Sequence, residues 1–250
     1  MKRKQGFGER ETIASMLERS KRPSGMVQIR NAFVQLGTRG KPAPGVLADM
    51  VAAHDRSGLD LFLLHRMMAS AAPWDAGKEA GVWARALGLA VSDTEMHAER
   101  VSRIFRRLDE NYRLVSRDHA RRGGKVTSLL EDGSGNPYTS PKSNYFRLPF
   151  AYWTSDFHRR LSMPGKAVLL IGLTQEPGFV IPPSQVKAWY GISDDTWTTG
   201  VSELEDEKVM RSDRGKQRDW MKGLAWNYEL EYTMLPPFDT RTQPGFTGGL

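Results

Sequence analysis

Apolar residues recur along this chain first at helical and then at strand spacing, and that alternation is run through twice. Leu59, Phe62, Leu63 and Met67 repeat at the intervals of one helix face and predict a first core helix, which Pro73 ends. A short helix over 79–89 follows, with Val82, Trp83, Ala86 and Leu87 on one face and Gly88 at its end. Ser92 or Asp93 caps the next helix, over 94–111, and Glu95 and Glu99 suit its positive end. Val101, Ile104, Phe105 and Leu108 form its apolar stripe. Leu114 and Val115 then enter a hairpin with Gly123 and Gly124 at its tip and 126–130 as the returning strand.

The second series opens with an aromatic stretch over 145–153 and a helix over 161–174, capped by Ser162 with Pro164 in its first turn. A short strand over 179–181 is stopped by Pro182 and Pro183, and a helix begins at Ser184. After the break at Ser193 and Asp194, a helix over 195–208 keeps Trp197, Val201 and Leu204 on one face. Strands over 210–218 and 220–232 complete the series.

Between and around the two series the pattern is irregular. Residues 1–55 hold one short helical stretch over 9–22, repeated Gly and Pro, and a six-residue excess of Lys and Arg over 1–50. They read as a basic, partly disordered arm. Residues 131–142 combine Gly, Asn, Pro and Ser, so the chain divides into a first unit at 56–132, a linker at 133–144 and a second unit at 145–235. Residues 236–250 read as a loose tail.

Helix, tight turn, amphipathic helix and basic hairpin, in that order, are the elements of a winged helix-turn-helix, which sets one helix in the DNA major groove. The expected fold class is therefore mainly α with small β-wings (α+β), in two tandem winged-helix domains behind a basic N-terminal arm. Composition agrees: 39% of residues are apolar and 26% charged, as in a globular chain, and a net charge of +7 favours a polyanionic partner. The absence of cysteine excludes disulfides and thiolate metal centres. The basic start lacks the apolar stretch of a secretory signal, and the longest apolar run, Ala167 to Leu173, is too short to span a bilayer. The expected location is cytoplasmic, on the nucleoid, with no membrane partner.

The candidate chemistry is that of nucleic-acid contact. Projected at about 100° per residue, Glu99, Arg103 and Arg106 lie opposite the apolar stripe of the first reading helix, flanked by Arg100 and Arg107. Arginine forks to guanine or clamps a phosphate. The following hairpin adds Arg117, Arg121, Arg122 and Lys125, and from Arg100 to Lys125 bases exceed acids by six. The second reading helix instead carries Asp194, Asp195, Glu203, Glu205, Asp206 and Glu207. Thr196, Thr198, Thr199 and Ser202 are its candidates for phosphate or thymine contact, with Arg214, Lys216 and Arg218 on its wing. The acidic helix at 195–208 alternatively offers a surface to a second copy, in a dimer or array, or to another protein.

Catalytic motifs fail on context. His97-Ala-Glu-Arg100 and His119-Ala-Arg-Arg122 match an HxxR element without the separate arginine, hairpin lysine and larger helical domain a strand-exchange site needs. Ser184-Gln-Val-Lys187 matches SxxK without its companion motifs, and no GxxxxGK[ST] exists. No cofactor, metal or catalytic residue is expected.

Residues 145–211, through Trp189-Tyr-Gly-Ile-Ser193, Thr196, Gly200 and Leu204 and the short apolar strand beyond, resemble the winged helix-turn-helix superfamily of bacterial regulators. The chain is also similar to winged-helix proteins of actinobacterial chromosomes and mobile elements. Its tandem arrangement resembles that of plasmid replication initiators. The resemblance implies a duplex-binding protein without a catalytic site, a transcriptional regulator first, with replication or partition of a mobile element as the alternative.

Overall fold

The computed structural model of the chain describes residues 5–38, 40–92, 97–118, 125–218 and 226–240. They form a mixed α+β fold of short helices and small antiparallel sheets.

The first 55 residues correct the expectation of a disordered arm. They supply helix α1 (Glu9–Arg19), strand β1 (Met26–Arg30), a 3₁₀ turn (Asn31–Phe33), the hairpin β2 (Gln35–Thr38) and β3 (Lys41–Pro44), and helix α2 (Val46–Ala52). Ile13, Met16 and Leu17 bury one face of α1, Val27 and Ile29 alternate inward along β1, and Phe33, Val46 and Met50 are buried with them. Most charge stays on the outer positions, but Glu9 of α1 is buried beside His158, 3.1 Å away. The regular partner of β1 lies far along the chain, so local composition around it reads as irregular.

The first repeated unit comprises α3 (Arg56–Met68), β4 (Asp75–Ala76), α4 (Ala80–Ala86), α5 (Ala98–Glu110), β5 (Val115–Arg117) and β6 (Val126–Ser128). Its sheet runs β4-β6-β5, with Asp75 opposite Thr127 and Val115 opposite Ser128. The expected stripe of Val101, Ile104, Phe105 and Leu108 is buried, and Phe105 meets Trp83 of α4 edge-on at 5.5 Å.

The second unit follows β7 (Tyr145–Pro149), α6 (Ala151–Thr154) and α7 (Phe157–Arg160). It comprises α8 (Met163–Leu173), β8 (Phe179–Val180), α9 (Pro183–Tyr190), α10 (Asp194–Asp206), β9 (Met210–Arg218) and β10 (Trp226–Met234). Its sheet runs β8-β10-β9, the same edge order as the first. The expected cap holds: the Ser162 hydroxyl accepts from Gly165 N–H at 3.3 Å. In both units the second helix ends on a left-handed glycine, Gly88 at φ 62° and Gly191 at φ 67°. Gly200 serves a different end, since a Cβ there would lie 2.6 Å from the Pro164 carbonyl oxygen and force α10 off α8.

Strands outside both units join them. β1 pairs antiparallel with β7, Val27 opposite Leu148 and Ile29 opposite Phe146, and α3 and α8 pack on β1 and β7 respectively. Asp60 of α3 and Lys166 of α8 form an ion pair in the interior. The segment expected to be a linker is fastened as well. Leu129 bridges Pro137, Tyr138 is buried under the Arg66 guanidinium at 3.8 Å, and Arg30 donates to the Thr139 carbonyl at 2.6 Å. The start of the expected tail is likewise packed: Phe238 is buried against Phe157, and Arg147 donates to the Thr240 carbonyl. Residues 241–250 lie outside the described residues. One apolar core runs through both units.

Candidate nucleic-acid interface

The outward face of α5 is set by its inward one. With Val101, Ile104, Phe105 and Leu108 buried, helical geometry leaves Arg100, Arg103 and Arg106 exposed, spaced three apart along one ridge. Arg103 approaches Glu99 at 3.7 Å, but both side chains are well exposed, so the pair yields readily to a phosphate.

Arg107, grouped with these from sequence, is differently placed. Its Nε and Nη2 both donate to Asp55 at 2.8 Å, and Nη2 reaches the Ser57 hydroxyl at 3.2 Å. Asp55 is the N-cap of α3, accepting from Gly58 N–H at 2.9 Å, and takes a further hydrogen bond from the Tyr112 hydroxyl at 3.2 Å. Burial opposes the Asp55 charge, but the hydrogen bonds from Arg107 and Gly58 outweigh it and hold the carboxyl below its ordinary value. Burial, then the Asp55 charge, pushes the Tyr112 hydroxyl up to about 12. Arg107 thus locks α5 against the start of α3, which fixes how the arginine ridge is presented.

The first wing shows the same division. Arg117 on β5 donates to the Ser102 hydroxyl of α5 at 3.1 Å, and Lys125 pairs with Asp75 of β4 at 3.0 Å while remaining largely exposed. Arg121 and Arg122 lie outside the described residues. The returning strand is tied to α3 from inside. His65 Nε2 donates to the Val126 carbonyl at 2.9 Å, and Arg66 donates to the Ser128 hydroxyl at 2.8 Å. Burial drives the imidazole of His65 down to about 4, so the ring is neutral.

Three of the acids of α10 and its C-terminal end are employed internally, while Asp194, Asp195 and Asp206 are exposed. Glu203 accepts from the backbone N–H of Ser162 at 2.9 Å and from its hydroxyl, which holds the start of α8. Glu205 accepts from Ser212 N–H at 3.0 Å at the base of β9, and Glu207 pairs with Arg160. Asp194 and Asp195 occupy the first turn, where the helix dipole favours them. Thr198, Thr199 and Ser202 remain exposed beside these groups, whereas the Thr196 hydroxyl is drawn to Ser193 at the cap, 2.9 Å away. Arg214 is exposed on β9, and Lys216 and Arg218 follow it along the same strand.

Sequence reasoning missed the groups that position this surface: Asp55, His65 and Arg66. A signal existed for the first alone, an Asp directly before a helical pattern. Among the described residues there is no group of three metal-ligating side chains, and no helix is long and apolar enough to cross a membrane. Comparison of the chain with protein-family models, with curated proteins and with solved structures finds no match.

Proposed function

We propose that the chain is a non-enzymatic, double-stranded DNA-binding protein whose two repeated units are winged helices. On this reading it is a sequence-specific transcriptional regulator working in the cytoplasm at the nucleoid. One observation carries the reading: helix, strand, helix, helix, strand, strand recurs with the same sheet order, and in the first copy the third helix turns three arginines outward. Arg100, Arg103 and Arg106 enter the major groove. Arg117 and Lys125 lie along the backbone, since Arg117 has only the exposed Ser102 hydroxyl to release and Lys125 is itself largely exposed in its pair with the half-buried Asp75.

The second unit contributes an adjacent contact through Thr198, Thr199, Ser202 and its wing. Its acidic composition weighs little against this, because Glu203, Glu205 and Glu207 are each held by groups of the chain itself. The same pairing leaves Asp194, Asp195 and Asp206 as the exposed acids with which that helix would meet a second copy or another protein. Binding to origin repeats of a mobile element uses the same contacts as an operator and differs in the DNA recognised.

Replacing both Arg103 and Arg106 by Ala tests the reading. Duplex affinity is expected to fall by roughly 100-fold or more, and the slope of log affinity against log salt to drop by about 2. The melting temperature should hold, because both side chains are exposed. Unchanged affinity in the folded variant overturns the assignment of α5 as the reading helix.

A further inference from the structure

We infer that the cleft between the β2–β3 hairpin and α9 is a binding site for a purine nucleoside, a ligand none of the DNA contacts above requires. The cleft holds about 790 Å³ and opens to solvent, and small-molecule sites run from about 300 to 1,000 Å³. Separate stretches of chain build it. They are the 3₁₀ turn with β2 and β3, the segment carrying Asp132 and Asn144, Gln175 just after α8, and Trp189 and Tyr190 at the end of α9. α9 packs on β3, which holds the hairpin wall against the aromatic one.

The functional groups of the lining carry the inference. Among the described residues that form it, Asn31, Gln35, Asn144 and Gln175 bring carboxamides, Trp189 and Tyr190 bring rings, Asp132 brings the one charge, and no cation is present. Two carboxamides are held in place by Tyr190. Gln175 Nε2 donates to the Tyr190 hydroxyl at 3.3 Å and to Thr174 Oγ1 at 2.6 Å, which leaves its carbonyl oxygen to offer a ligand. Gln35 is hydrogen-bonded to the same hydroxyl, and burial pushes that phenol up to about 12, so it stays neutral. Trp189 is half-buried and meets Tyr190 at a steep angle, 6.4 Å away, which fixes the indole beside the pinned amides. Across the cleft, Asn31 N–H donates to the Asn144 carbonyl at 2.9 Å, and Asp132 accepts from Ser134 N–H at 2.9 Å.

Planar, uncharged and rich in both donors and acceptors is what such a lining selects. A carboxamide sets a donor and an acceptor side by side in one plane, and this fork matches the adjacent donor and acceptor on a purine edge. A purine has two such edges to meet several carboxamides, and a flat face to stack on an indole. The rotating hydroxyls of a saccharide make no demand for planar forks. A phosphate finds no cation here and is repelled by Asp132, so the ligand is the nucleoside and not the nucleotide or a nucleic-acid strand. The cleft takes nothing from α5 or from either wing, so it stands whether or not the chain binds duplex.

The test is titration calorimetry of the full chain with adenosine, guanosine, their 5′-monophosphates and methyl glucoside. Saturable binding of a purine nucleoside is expected, with its monophosphate weaker by about tenfold or more. Asp132→Asn should bring the two within about threefold by removing the repulsion. Trp189→Ala should weaken the nucleoside by about 5- to 150-fold, the worth of one stacked base, while Trp189→Phe keeps it within about threefold by retaining a ring. Should the alanine variant fail to fold, Asn144→Gly serves in its place. Asn144 is exposed at φ 53°, which glycine adopts freely, so this change removes a carboxamide alone and should cost about 2- to 12-fold. No saturable binding of either nucleoside at millimolar concentration overturns the inference. So does equal affinity for methyl glucoside or for the monophosphate, or wild-type affinity in the folded Trp189→Ala or Asn144→Gly variant. Loss of the duplex reading alone leaves this one standing.

Discussion

Asp55 and Arg107 show how much a single side chain's role depends on what lies behind it. On a helical projection Arg107 differs little from Arg106, yet it donates twice to the capping carboxylate of α3 while Arg106 faces outward. Arg107→Ala is therefore expected to destabilise the fold by about 1–3 kcal/mol, since it strips a mostly buried carboxylate of its partner and the arginine itself is partly solvated. Arg106→Ala should instead lower duplex affinity at constant stability. Thermal melts of both variants check this, and equal melting temperatures contradict it. The projection from sequence correctly sorted inside from outside on α5 but had no means of finding Asp55, because the partner stands on another helix.

His65 adds a pH dependence whose direction follows from its burial. Its folded value, about 4, lies below the ordinary 6.5 because desolvation outweighs the hydrogen bond to Val126. Between those values the unfolded chain binds a proton that the folded chain refuses. Stability is thus full above pH 6.5 and falls as pH drops toward 4, by about 3 kcal/mol in all. Asp55, held low, adds its own loss only at more acid pH, as the medium falls through its folded value. His65→Gln, which keeps a donor for the Val126 carbonyl, should flatten the limb between pH 6.5 and 4.5 in thermal melts. An unaltered slope would place the acid sensitivity elsewhere.

Whole elements were more legible than single roles. The helices read from Leu59, Val101 and Trp197 all exist, and the stop at Gly88 works as a turn because glycine adopts the left-handed conformation freely. Gly191 does the same in the second unit, two residues before the break expected at Ser193. Such elements follow from local period and caps, which a chain carries on its face. β1 was missed although Val27 and Ile29 alternate as a strand should, because five residues among many Gly and Pro give too short a signal. The acids of α10 were misjudged for a related reason: their partners Ser162, Ser212 and Arg160 are set by packing, not by spacing. The crossing of α10 over α8 depends on one small residue, and Gly200→Ala should cost about 1–3 kcal/mol by overpacking against Pro164 and Val168. An unchanged melt would show that the two helices have room to part.

At the scale of the molecule, two similar units share one core instead of hanging on a flexible linker. The β1–β7 pair and the buried Asp60–Lys166 ion pair fix one unit against the other. Removing either partner alone strands a buried charge, with an expected loss of about 3–5 kcal/mol. Replacing both at once, Asp60→Leu with Lys166→Met, should recover most of that loss, since the pair's desolvation disappears with it. A double-mutant cycle by chemical denaturation reads the coupling, and additive losses contradict a direct pair. None of this coupling was visible in sequence, where Gly, Pro and Ser over 131–142 resemble a boundary. The turn residues are there, but Tyr138 and Thr139 anchor the segment to Arg66 and Arg30.

A rigid pair of units has a consequence for the proposed activity: both should engage one continuous duplex together. The most direct measurement is a salt titration of full-chain binding to random duplex and to the DNA flanking the gene that encodes it. Steep salt dependence on both, with tighter binding to the flanking DNA, is the predicted result, because phosphate contacts attract without regard to sequence and base contacts add the preference. Failure to bind either duplex at low salt would contradict the account at its centre.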